Sequence, residues 1–125
     1  MNNIFKLFML IIVLTVLDAI YLNSVSSQYK RIVKSIQGEE LTFKYIPTII
    51  VYICIIALLY YFIIRENRTP FEAFLLGSMT YAIFDFTNLA ILNKWDLKMS
   101  IIDSIWGGIL FATSTFIFNK FIKKL

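Results

Sequence analysis

Four apolar runs, separated by shorter polar stretches, organise the chain: about residues 4–22, 46–64, 71–92 and 101–119. Each approaches the roughly 20 residues that a helix needs to cross the hydrocarbon of a bilayer. Backbone polar groups inside a bilayer must be satisfied within the protein, so such runs are helical. No period-2 alternation points to a barrel. The connections 65–70 and 93–100 are short, which makes consecutive helices antiparallel neighbours. The pattern therefore predicts an all-α polytopic membrane protein, an antiparallel four-transmembrane-helix bundle, with residues 1–125 forming a single integral membrane domain.

Local signals mark the helix ends. Thr69, Pro70 and Glu72 form a capping box with proline at the first helical position. Ser100 and Asp103 have the spacing of a second box. Pro47 falls in the first turn of its span, where a missing N–H costs little. Tyr21, Tyr45, Tyr60, Tyr61 and Trp95 lie near span ends, as an aromatic belt would. The connection 23–45 is the long one. Within it Tyr29, Ile32, Val33 and Ile36 recur at helical spacing and Gly38 offers a stop, which predicts a short interfacial helix between spans one and two. An ordinary solvated helical turn fits the same pattern. The first run, with Lys6 ahead of it and Ser24 and Ser26 after it, has the outline of a signal peptide but is read as an uncleaved helix.

Composition agrees with the pattern. Of the 125 residues, 59% are hydrophobic and 16% charged, and the mean hydropathy is +0.77, whereas a soluble domain is about 45–50% apolar and about a quarter charged. The net charge of +4 comes from 12 Lys+Arg against 8 Asp+Glu. These bases flank the apolar runs and suit lipid headgroups. A nucleic-acid partner would need a soluble basic face, which is absent. There is no histidine and one cysteine, Cys54, so an intramolecular disulfide, a Ser-His or Cys-His nucleophile pair and a zinc centre all fall away.

Orientation is not decided by charge. On the side of the N-terminus (the near side) lie Lys6, Arg65, Arg68, Lys120, Lys123 and Lys124; on the far side lie Lys30, Arg31, Lys34, Lys44, Lys94 and Lys98. That is six against six, and the positive-inside rule does not choose between the two orientations. The dense run 120–124 favours both termini cytoplasmic. The balance also admits insertion in both orientations.

Candidate chemistry concentrates in three aspartates, because an Asp at a span centre costs roughly 2.5–3.5 kcal/mol and calls for a partner. At about 1.5 Å rise per residue, Asp18 lies about 6 Å, Asp85 about 10 Å and Asp103 about 3 Å below the far side. Gly77, Tyr81, Asp85, Asn88 and Leu92 form one stripe at helical steps; Thr15, Asp18 and Tyr21 form a second; Asp103, Trp106, Gly107 and Leu110 share a face. Tyr52 reaches a similar depth. The expectation is a polar pocket between helices, open to the far side, drawing on Asp18, Tyr21, Tyr52, Tyr81, Asp85, Thr87, Asn88, Asp103 and Trp106. Plainer roles stand beside it. Asp103 serves equally as the partner of Ser100 in its box, Asp18 as a wet interfacial residue, Asp85 as one half of a structural hydrogen bond, and Tyr81 and Trp106 as packing. Ser104, Gly108 and Ala112, four apart, suggest close helix packing.

The stretches "LDAIYL" (17–22), "GSMTYAIFDFTNLAILNKW" (77–95) and "IIDSIWGGIL" (101–110) together resemble an uncharacterised family of small membrane proteins, a domain of unknown function with four predicted spans. The family pattern resembles Leu-Asp-x-x-Trp-Leu in the first helix, Tyr-Asp-x-Thr-Asn-x-Ala in the third and Asp-x-x-Trp-Gly in the fourth. The likeness covers essentially the whole chain, Tyr29 and Gly38 included. It marks Asp18, Asp85, Thr87, Asn88, Asp103, Trp106 and Gly107. Tyr21 stands where the pattern has Trp, and Phe84 where it has Tyr, which bears on specificity if those groups touch a ligand. The resemblance implies no reaction. The Ile-, Asn- and Lys-rich usage hints at an AT-rich bacterial or large-viral genome.

Three functions fit these residues. The leading one is a structural or accessory membrane component with an inter-helix polar site, partnered by the bilayer and by a second copy or another membrane protein. The alternative is a small transporter that uses intramembrane Asp residues to take a proton, a cationic ligand or a hard cation. The last is a metal-dependent lipid-headgroup enzyme. No cofactor is predicted. A hard cation such as Mg²⁺ or Na⁺, if bound, would use Asp18, Asp85 and Asp103. The balance is against an enzyme.

Overall fold

Each apolar run forms one helix long and apolar enough to cross a membrane. The computed structural model of the protein describes residues 2–125, and no strand occurs among them. Helix α1 runs Asn3–Gln37. Helix α2 runs Tyr45–Leu59 and widens into a π turn at Tyr60–Ile64. Helix α3 runs Pro70–Ile91. Helix α4 runs Leu97–Ile117 and widens into a second π turn at Phe118–Ile122.

The separate interfacial helix expected after the first span is absent as such: α1 continues through it without a break. Residues 23–28 contain no Gly or Pro to stop a helix. The hydroxyls of Ser24 and Ser26 donate to the Ile20 and Asn23 carbonyls, so the serines stay satisfied inside the helix. The stop comes at Gly38, whose φ of 77° is left-handed and whose N–H reaches the Lys34 carbonyl. The 35 residues of α1 make a rod of about 52 Å, longer than hydrocarbon of about 30 Å. Its far end docks on the α3–α4 connection. Tyr29 meets Trp95 edge-on at 6.5 Å, and Lys94 Nζ donates to the Ser35 carbonyl at 3.1 Å.

The capping box at the start of α3 forms in full: Thr69 Oγ1 accepts from Glu72 N, and Glu72 Oε1 accepts from Thr69 N, both at 3.1 Å. The second expected box does not form. Asp96 caps α4 instead, accepting from Lys98 N, so the helix begins at Leu97 and Ser100 lies inside it. There Ser100 Oγ back-bonds to the Asp96 carbonyl at 3.0 Å, and Asp103 is free to serve another helix.

Helix α4 is the centre of the fold, with the most buried surface of the four. It approaches α3 through Gly77 and Gly107: a Cβ at Gly77 would lie 2.1 Å from the Gly107 carbonyl oxygen, so only glycine permits this distance. Chain direction opposes across the pair, since Gly77 meets Phe111, Tyr81 meets Gly107 and Asp85 meets Ser100. Along α1 and α4 the order is likewise reversed: Lys6 reaches Lys123, Asp18 reaches Trp106 and Tyr21 reaches Asp103.

The core changes character along the bundle. Its near half is mostly apolar, built from Leu10, Leu14, Leu59, Ile63, Ala73, Leu110, Phe111 and Phe118, with the hydroxyls of Ser114 and Thr115 buried among them. Its far half holds the buried Asp18, Asp85, Ser100 and Asp103. Outward-facing side chains such as Val16, Ile20, Ile53, Ile83 and Ile105 are large and apolar, as a lipid-facing surface requires.

Candidate polar site

The buried stripe of α1 is Leu10, Leu14 and Asp18, at steps of four. Thr15, expected beside Asp18, instead faces outward. Asp18 is 5% exposed and is bonded by two other helices. Tyr52 of α2 donates its hydroxyl to Oδ2, and Trp106 of α4 donates its indole N–H to Oδ1 at 3.0 Å. Each carboxylate oxygen thus has its own donor, as a buried charge demands.

One turn further along α1, Tyr21 donates its hydroxyl to Oδ1 of Asp103 on α4. Its ring also stacks on Trp106, with centroids 4.7 Å apart and planes 8° from parallel. The α1–α4 contact is therefore reciprocal: an acid and a phenol three residues apart on α1 face an indole and an acid three apart on α4. Asp18, Tyr21, Tyr52, Asp103 and Trp106 form one connected cluster. Sequence reasoning had all five residues and lacked the pairing, which the helix register supplies.

Tyr81 lies next to this cluster, its ring against Gly107, within electrostatic reach of Asp18 and Tyr52. Asp85 behaves differently. It is 0% exposed, and neither carboxylate oxygen accepts a hydrogen bond. The indole of Trp95 comes near enough to act on the carboxylate, yet the contact falls short of a hydrogen bond, and its N–H is also buried without an acceptor. Ser100 Oγ reaches only the Asp85 backbone carbonyl, at 3.5 Å. Trp95, expected as a belt residue, packs edge-on against Tyr29 and Phe84; its position in the short α3–α4 connection, just past the polar stretch of α3, was the signal for a role in the site. Thr87 points outward and Asn88 is half-buried, and neither bonds to any of the three aspartates. No group of three or more His, Cys, Asp or Glu among the described residues is placed to hold a metal ion.

The arrangement is four helices with polar groups bonded between them at one end. A family model described as "Predicted membrane protein (DUF2177)" matches residues 3–118. The chain belongs to this family. The DUF2177 match takes in α1, α2, α3 and all of α4 up to its π turn, so every residue of the polar cluster lies within it. Its four apolar helices make the chain a multi-pass membrane protein. No curated protein and no solved structure matches the chain.

Proposed function

We propose that the chain is a structural or accessory component of its membrane, whose polar cluster ties the helices of one bundle together. The observation behind this reading is the double hydrogen bond of Asp18, which joins α1 to α2 and to α4 at one carboxylate. A ligand-binding carboxylate would keep an oxygen lone pair turned to a cavity, whereas both oxygens of Asp18 face a donor from a neighbouring helix and Asp103 Oδ1 faces one from α1. In the cell both termini would be cytoplasmic, and the balanced flanking charge would allow a second copy to pair in either sense. The test is Asp18→Asn and Asp103→Asn in purified protein. Lowered thermal stability with unchanged ion flux in proteoliposomes is the result expected. Unchanged stability with altered flux would sink the proposal.

A second reading rests on Asp85. A fully buried carboxylate with no hydrogen-bond donor is the kind of group that takes a proton or a hard cation such as Na⁺ or Mg²⁺. This supports a small transporter in which Asp85 is the binding group. Proteoliposomes carrying a pH or Na⁺ gradient would show flux that Asp85→Asn abolishes; equal flux from both proteins removes this reading. Metal-dependent lipid-headgroup chemistry has no comparable observation behind it.

A further inference from the structure

At the end of the bundle opposite the aspartates, the opening turn of α1 and the two π turns enclose an open cleft of about 260 Å³. Asn3, Lys6, Tyr60, Arg65, Asn67 and Lys123 line it. Three of these carry positive charge, and among the described residues no carboxylate lines the cleft.

The cations are placed rather than loose. Lys6 Nζ donates to the Lys123 carbonyl, and Lys123 Nζ donates to Asn67 Oδ1, each at 2.8 Å. Asn67 presents that amide from a left-handed turn, φ 53°, a conformation that Asn tolerates well. An ammonium has three donors, so each lysine keeps further N–H groups for an anion. Arg65 is pinned at the rim by the Tyr61 ring, 3.9 Å from its centroid, and by Glu66 at 3.0 Å.

Helix electrostatics account for Lys123, and for Lys6 through the α4 end that it reaches. A cation at a C-terminal turn, such as Lys123, complements the macrodipole; one in an N-terminal turn opposes it. Lys6 lies in the opening turn of α1, where no acidic residue offsets it. The Lys123 carbonyl, at the C-terminal end of α4, takes one of its three donors, which leaves the others for an anion in the cleft. Depth narrows the class of anion. The cleft sits where three membrane-length apolar helices end, at the level of lipid headgroups, where basic side chains attract anionic lipids.

The geometry points to this cleft as a binding site for the phosphate of an anionic lipid headgroup, gripped by Lys6 and Lys123 with Arg65 at the rim. The site is independent of the aspartate cluster and goes beyond the function proposed above.

The test uses the full chain in neutral detergent, titrated with phosphatidylglycerol or phosphatidylcholine, with bound lipid counted by native mass spectrometry. Phosphatidylglycerol should be retained and phosphatidylcholine should not. Lys6→Gln with Lys123→Gln should weaken retention about thirtyfold, while Lys6→Arg with Lys123→Arg keeps it. Lys30→Gln with Lys34→Gln, at the other end of α1, should change nothing. Circular dichroism confirms that each variant keeps its helices, and a double variant that loses them is replaced by Lys6→Gln alone, read the same way. Equal retention of both lipids, or no loss in the charge-removing variant, overturns the proposal. Full competition by millimolar inorganic phosphate overturns the lipid assignment in favour of free phosphate.

Discussion

The indole N–H of Trp106 donates to Asp18 at 3.0 Å, joining the first membrane helix to the last across 88 positions of sequence. The same indole lies flat on the ring of Tyr21, so one side chain satisfies the charge and packs the residue a turn away. Interhelical hydrogen bonds of this kind in membrane proteins average about 0.6 kcal/mol, reaching about 1.7. A double-mutant cycle of Asp18→Ala and Trp106→Phe should return a coupling in that range, measured by reversible unfolding in mixed micelles. A coupling of zero would show that the two groups do not act on each other.

Tyr21→Phe keeps the stacked ring and removes the hydroxyl. Asp103, 3% exposed, then loses its interhelical donor. Leaving a buried polar group unsatisfied costs about 1–3 kcal/mol. The variant should unfold at a lower denaturant concentration while its tryptophan environment stays native. Full stability in Tyr21→Phe would mean that Asp103 finds another donor.

Gly77 and Gly38 should respond to alanine for different reasons. At Gly77 the added methyl meets backbone, with the Gly107 oxygen 2.1 Å from the Cβ position, so α3 and α4 must move apart; overpacking of this kind costs about 1–3 kcal/mol. At Gly38 nothing lies within 4 Å, and the cost is the left-handed backbone alone, about 1–2 kcal/mol. Gly77→Ala should therefore lower the melting temperature of the whole bundle. Gly38→Ala should fray only the end of α1, seen as faster amide exchange over Lys34–Gln37. Equal global destabilisation by the two would contradict this account.

Asp85→Asn should raise stability or leave it unchanged, the reverse of Asp18→Asn. Asp18 has a donor on each oxygen; Asp85 has none. A buried charge without a partner is destabilising, and replacing it with a neutral amide of the same shape removes that cost. Thermal melts of the two variants side by side distinguish these signs.

Much of the fold was legible because it is written in single segments. The four apolar runs, the Thr69–Glu72 box and the Gly38 stop each depend on neighbours in sequence. The misreadings came where a local pattern had two uses. Ser100 with Asp103 matches a capping box, but a serine inside a helix can also bond back to the carbonyl four residues earlier, and Asp96 supplied the cap first. The connection 23–45 was read as holding a separate short helix, yet Ser24 and Ser26 satisfy themselves within a continuing one. Thr15 shares steps of three with Asp18, while the buried face of α1 follows steps of four through Leu10 and Leu14. The pairing of Tyr52 with Asp18 and of Tyr21 with Asp103 was hidden for another reason: it depends on how far α1 slides past α2 and α4, which no single segment specifies.

The split core has a mechanical consequence. In the far half, α1, α2 and α4 are joined by buried directional bonds. In the near half the helices meet through side-chain shape, and the interhelical bond there, from Lys6 to Lys123, is exposed. The molecule is thus clasped at one end like tweezers. Its near tips, where the two π turns lie, are held by packing, so a change of side-chain volume at Leu14 or Phe111 acts there while a lost donor acts at the clasp.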